Sequence, residues 1–110
     1  MAIPDITHLQ FLILAVLYRD GHSGRFIRDR LAEEGSRQSG PAFYQMMARL
    51  EAALLVCGWY ESYSVDGQTI KERKYEITPV GKRAFQEVQS FYATRDSGTI
   101  VQGGSVNTSN

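Results

Sequence analysis

Eight consecutive residues, Phe11 to Tyr18, read Phe-Leu-Ile-Leu-Ala-Val-Leu-Tyr without a polar break. Thr7 and Gln10 stand before them with the spacing of a helix-starting capping box, so the run predicts a helix, and Arg19-Asp20-Gly21 ends it. A helix that is apolar on every side must be covered on every side. A chain of 110 residues makes one domain with a modest core, seldom enough to enclose a helix, so a second subunit is the expected remaining cover. The run is too short to span a bilayer and lacks a cleavage pattern, which predicts a core helix in a cytoplasmic protein. The lone cysteine, Cys57, has no partner in the chain for a disulfide, consistent with a reducing compartment, and is expected to act as a small core hydrophobe.

Two further helices are expected before the midpoint. Ser23 or its neighbour caps the first, from about Gly24 to Glu34, with Phe26, Ile27 and Leu31 as its buried stripe and Gly35 as its left-handed stop. Ser39-Gly40-Pro41 opens the other by placing proline at the first helical position. Phe43, Met46, Met47, Leu50 and Leu54 recur at helical spacing on its inner side, while Ala42, Gln45, Ala48, Arg49 and Ala52 form an outer side of small residues with two long polar ones.

Beyond Cys57-Gly58 the pattern turns extended. Trp59 to Val65 is rich in aromatic and β-branched residues, Asp66-Gly67 is a turn signal, and Ile70 to Ile77 returns, which predicts a β-hairpin. Thr78-Pro79 starts a last helix over about 79–95, with Val80, Ala84, Phe85, Val88, Phe91 and Tyr92 at helical spacing. After Asp96 the composition shifts to Gly, Ser, Thr, Asn and Gln, so 97–110 is expected to be a flexible polar tail on a domain of 1–96.

The order helix, helix, helix, hairpin, helix predicts an α+β, mainly α, winged helix-turn-helix with a further C-terminal helix. In that arrangement the third helix enters the DNA major groove. Arg37, Gln38 and Ser39 precede this helix at its positive end, and Ala42, Tyr44, Gln45 and Arg49 lie along it. Lys71, Arg73 and Lys74 on the hairpin add a basic arm for the phosphate backbone. Twelve basic and twelve acidic residues cancel, so such a surface must be locally basic, with Glu33, Glu34, Glu51, Glu87 and Asp96 elsewhere. The same neutrality favours the rival reading, a winged helix for protein contact with little DNA affinity. The sequence carries no zinc-spaced Cys/His set, phosphate-binding glycine loop or nucleophilic triad in context, so neither catalysis nor a metal or other cofactor is expected.

The residues resemble the PadR family of winged-helix transcriptional regulators over roughly 9–88. The resemblance is carried by His22-Ser23-Gly24, by Phe43-Tyr44 with Arg49-Leu50-Glu51, by Arg73-Lys74-Tyr75, and by Thr78-Pro79-Val80-Gly81. Three positions depart from the pattern: Arg25 where a tyrosine is usual, Pro41-Ala42-Phe43-Tyr44-Gln45 in place of Gly-Thr-Leu-Tyr-Pro, and Leu54 where a glycine is usual. The resemblance implies a homodimeric regulator of double-stranded DNA, a repressor by type, whose last helix packs on the partner's first. The interface would then include Leu9, Leu12, Ile13, Val16, Phe85, Val88, Phe91 and Tyr92. It also implies a flat aromatic effector between subunits, for which Trp59 and the last helix's aromatics are the candidates.

Overall fold

The computed structural model describes residues 5–103, with side chains described through residue 94. Its elements run α1 (His8–Leu17), β1 (His22–Ser23), α2 (Gly24–Glu33), α3 (Gly40–Ala52), β2 (Val56–Val65), β3 (Gln68–Ile77) and α4 (Pro79–Gly103). The expected winged-helix order is therefore present, with an added strand. β1 pairs antiparallel with β3, His22 opposite Tyr75 and Ser23 opposite Lys74, giving a three-stranded sheet in the order β1-β3-β2. A two-residue strand has no periodicity to read, and only its partner defines it.

Local chemistry sets each helix start. Thr7 accepts from the Gln10 amide while the Gln10 side chain accepts from the Thr7 amide, so the capping box is complete. Ser23 and Ser39 accept from the Phe26 and Ala42 amides in the same way. Pro41 sits one residue further in than expected, because Gly40 is already helical. Thr78 serves two helices at once: its hydroxyl accepts from the Gly81 amide at 2.9 Å and donates to the Leu54 carbonyl at 2.6 Å. Gly81 is required there, since a Cβ would fall 2.1 Å from the Leu55 carbonyl oxygen.

The core joins Ile13, Leu14 and Leu17 of α1 to Ile27 and Leu31 of α2, Phe43, Met47 and Leu50 of α3, and Ala84 and Phe85 of α4. Phe11 stacks on Phe85 at 4.7 Å, and Tyr18 lies 5.0 Å from the same ring, so α4 packs on α1 of the same chain. Of the residues expected at a dimer surface, Ile13, Phe85 and Val88 are buried within the chain, whereas Leu9, Leu12, Val16 and Phe91 are half-buried and Tyr92 is exposed.

Four other expectations change. Phe26 is not core: it is exposed, stacked on His22 at 4.1 Å with the Arg30 guanidinium 5.9 Å from its ring centre. Leu54 lies past the end of α3, 67% exposed. Cys57 is exposed on the hairpin instead of buried. α4 continues past Asp96 to Gly103, so its helix outlasts the change in composition; the rest of the expected tail, 104–110, lies outside the described residues. No helix among the described residues is long and apolar enough to cross a membrane.

Candidate nucleic-acid interface

The outer side of α3 is as the spacing predicts. Ala42, Gln45, Ala48, Arg49 and Ala52 are all exposed, and Phe43, Met47 and Leu50 hold the opposite side in the core. Small side chains at 42, 48 and 52 leave Gln45 and Arg49 as the reaching groups. Among the described residues no acid pairs with Arg49.

The hairpin alternates, so its two faces differ completely. Directly opposed residues share a face, and the pairs Tyr60–Arg73, Ser62–Lys71 and Ser64–Thr69 lie on one side. This side looks toward α3: Tyr60, Lys71, Arg73 and Tyr75 line an open groove with Tyr44, Ala48 and Glu51. The pairs Trp59–Lys74, Glu61–Glu72 and Tyr63–Ile70 lie on the outer side. The expected wing cations are therefore divided, with Lys71 and Arg73 beside α3 and Lys74 turned away.

Two of those three cations are neutralised. Arg73 Nη2 donates to both carboxylate oxygens of Glu51, at 2.8 and 2.7 Å, with the guanidinium 4.9 Å from the Tyr60 ring and 5.2 Å from Tyr75. Burial works against its charge, but a hydrogen bond with Tyr75 and the Glu51 carboxylate outweigh it, so its pKa rises further above the usual range. Lys74 Nζ sits between Glu61 at 3.5 Å and Glu72 at 3.8 Å. Glu51, expected to lie elsewhere, is thus at the centre of the site, and neither Arg73 nor Lys74 is a free phosphate ligand in this arrangement. Lys71 is exposed, its ammonium 5.8 Å from the Tyr60 ring centre.

The residues leading into α3 are largely taken up by the turn. Ser39 caps the helix, the Gln38 side chain donates to the Arg37 carbonyl, and the Gln38 carbonyl accepts from Arg28 at 3.1 Å. Arg37 remains exposed at this end. Tyr44 is 40% exposed, but its ring packs edge-on against Phe43 and fills the space beside Gly24, where a Cβ would fall 2.7 Å from the phenol oxygen. It tethers α2 to α3 and still reaches the groove.

The sequence reading missed Tyr60, Ser62, Ser64 and Thr69 on the inner wing face. Counting outward from the Asp66-Gly67 turn in steps of two would have grouped them with Lys71 and Arg73. It also missed Glu51, whose signal was its position: a carboxylate in the last turn of a helix opposes the helix dipole and calls for a cation nearby. Cys57 lies on the outer face, its Sγ 3.8 Å from a Glu76 carboxylate oxygen. Partial burial of the thiol raises its pKa, and the Glu76 charge and hydrogen bond raise it further. Among the described residues no group of three His, Cys, Asp or Glu side chains is placed to hold a metal.

No family model matches the chain, and no curated protein matches its sequence. Solved structures do match. The chain is similar to a PadR family transcription regulator from Clostridium difficile R20291, with a TM-score of 0.73 at 17% identity, over 89% of this chain and 100% of that one. It is also similar to a PadR family transcriptional regulator from Eggerthella lenta DSM 2243, with a TM-score of 0.63 at 25% identity, over 83% of this chain and 77% of that one. Bacillus subtilis PadR in complex with operator DNA matches with a TM-score of 0.62 at 19% identity, over 78% of this chain but 49% of that longer one. The fold is the PadR-like winged helix.

Proposed function

We propose that this PadR-like winged helix is a transcriptional regulator, a repressor by type, that binds double-stranded DNA as a homodimer in the cytoplasm and carries out no catalysis. One observation supports the reading above the rest. An open groove joins Tyr44 and Ala48 of α3 to Tyr60 and Lys71 of the wing, and Gln45 and Arg49 stand exposed among alanines on the same helix. A helix with small flanking side chains fits a major groove about 12 Å wide, where glutamine suits adenine and arginine suits guanine. The wing hydroxyls and Lys71 would then lie along the adjoining backbone. Arg37, at the start of α3, would add a phosphate contact beside the helix's positive end. Operator DNA bound to the similar Bacillus subtilis protein supports this use of the fold.

Dimerisation is supported by what one subunit leaves uncovered. Leu12, Ala15 and Val16 of α1 line a shallow cleft with Leu31 of α2, and Tyr92 projects from α4. A two-fold pair would present two α3 helices to half-sites about one DNA turn apart. An aromatic effector between subunits has less support, since Trp59 lies on the outer face of the wing beside Lys74.

The rival reading, a protein-contact module, draws on the pairing of Arg73 and Lys74 with acids and on the zero net charge. Selecting bound fragments from a random duplex pool, followed by a salt titration, separates the two. A palindromic consensus with affinity falling as salt rises is the expected result. Absence of binding at low salt would leave the protein-contact reading.

A further inference from the structure

We infer that Arg73 and Glu51 are positioning residues that fix the angle between the wing and the DNA-reading helix, and that Arg73 is not itself a phosphate ligand. The inference rests on the DNA-binding reading and assigns the division of labour within that site.

The geometry is that of a bolt. Glu51 leaves the last turn of α3, Arg73 leaves β3, and a single guanidinium nitrogen bonds both carboxylate oxygens. The guanidinium also lies against Tyr60 and Tyr75, and Tyr75 is core at 2% exposure. Gly58, opposite Tyr75, makes the space: a Cβ there would fall 2.8 Å from the Tyr75 ring and 3.0 Å from Arg73 Nη2. One cation therefore joins the end of α3, the base of β2 and the core beneath β3.

An ion pair about a quarter exposed on each side adds little to stability. Its yield is direction. Beyond the Tyr60–Arg73 rung every wing residue of β2 is exposed, so among the described residues Arg73–Glu51 is the outermost ion pair between the hairpin and α3, the one nearest to Ser62, Ser64 and Lys71. Glu51 is also misplaced for α3 alone, because a carboxylate opposes the negative end of the helix dipole. The pairing explains why it is there.

The test is duplex binding by fluorescence anisotropy across a salt series, using the full chain and its Glu51→Gln variant. This variant removes a negative charge near the site, so simple electrostatics predicts tighter binding. Positioning predicts the opposite: affinity falls about tenfold, the scale of one lost base contact, while the slope of log K against log salt stays put. A charge-reversed pair, Glu51→Arg with Arg73→Glu, should recover most of the loss. If Glu51→Gln instead binds more tightly and the slope steepens by roughly one phosphate's worth, Arg73 is a withheld phosphate ligand and the inference is overturned. Unchanged affinity overturns it too. A wild-type chain that binds no duplex removes the DNA reading itself. In that event the amide order parameters of the wing still decide the mechanical part: they should drop in Glu51→Gln, and wild-type values would overturn it.

Discussion

Leu54 closes α3 with the same left-handed turn that Gly35 gives α2. The φ angles are 64° and 85°, and in both cases the next residue's amide bonds back five residues, Leu55 to Leu50 and Ser36 to Leu31. Glycine adopts this conformation without penalty, whereas a side chain crowds the following carbonyl. Leu54 is mostly exposed, so little burial offsets the strain. Leu54→Gly should therefore stabilise the fold by about 0.5–1 kcal/mol after glycine's extra chain entropy is counted. Thermal unfolding would show it as a rise of a few degrees, roughly 2–8 °C; an unchanged or lower midpoint would mean that the turn is unstrained.

The wing thiol is expected to be sluggish. Only the thiolate attacks an alkylating agent, and partial burial together with Glu76 holds Cys57 above its ordinary pKa. Iodoacetamide at pH 8 should modify it more slowly than a small free thiol. Glu76→Gln should speed the reaction, because it removes the adjacent negative charge. Equal rates in the two proteins would show that Glu76 has no hold on the sulfur.

Tyr92 offers the cleanest probe of assembly, since it is 58% exposed in the isolated subunit and its replacement leaves the core intact. Tyr92→Asp should shift sedimentation from dimer toward monomer while the circular dichroism spectrum stays the same. A dimer of undiminished affinity would take the end of α4 out of the interface.

Base reading and backbone contact should divide between Gln45 of α3 and Lys71 of the wing. Gln45→Ala is expected to broaden sequence preference at one position, at about 1–3 kcal/mol of discrimination. Lys71→Ala should weaken binding to all duplexes alike and reduce the salt slope by about one contact. Selection from a random pool measures the first effect and a salt series the second; identical consensus logos for Gln45→Ala and wild type would move recognition off α3.

Much of the fold was legible because its signals are local. Caps at Thr7, Ser23, Ser39 and Thr78, the Asp66-Gly67 turn and the inner stripe of α3 each act within a few residues, and each stands where its chemistry places it. What escaped depends on partners distant in sequence. β1 exists only through β3, and Phe26 lies outside the core with its ring stacked on His22. The site was legible on α3 and half so on the wing. Lys-Glu-Arg-Lys in a strand reads as a basic cluster, yet alternation sends Arg73 and Lys74 to opposite faces, and Glu51, 22 residues upstream, claims one of them.

The strict alternation of the hairpin also governs how its length can vary. Between the Tyr60–Arg73 rung and the Asp66-Gly67 turn, each added rung lengthens the arm by one residue per strand. Paired insertions of two per strand would carry the hydroxyl side outward unchanged, like extending a ruler. Loss of a single rung, one residue from each strand, would turn everything beyond it over, presenting Tyr63 and Ile70 where Ser62 and Lys71 had stood. Arms of this design should therefore grow or shrink by even steps, and removal of one rung near the tip should harm the protein more than removal of two.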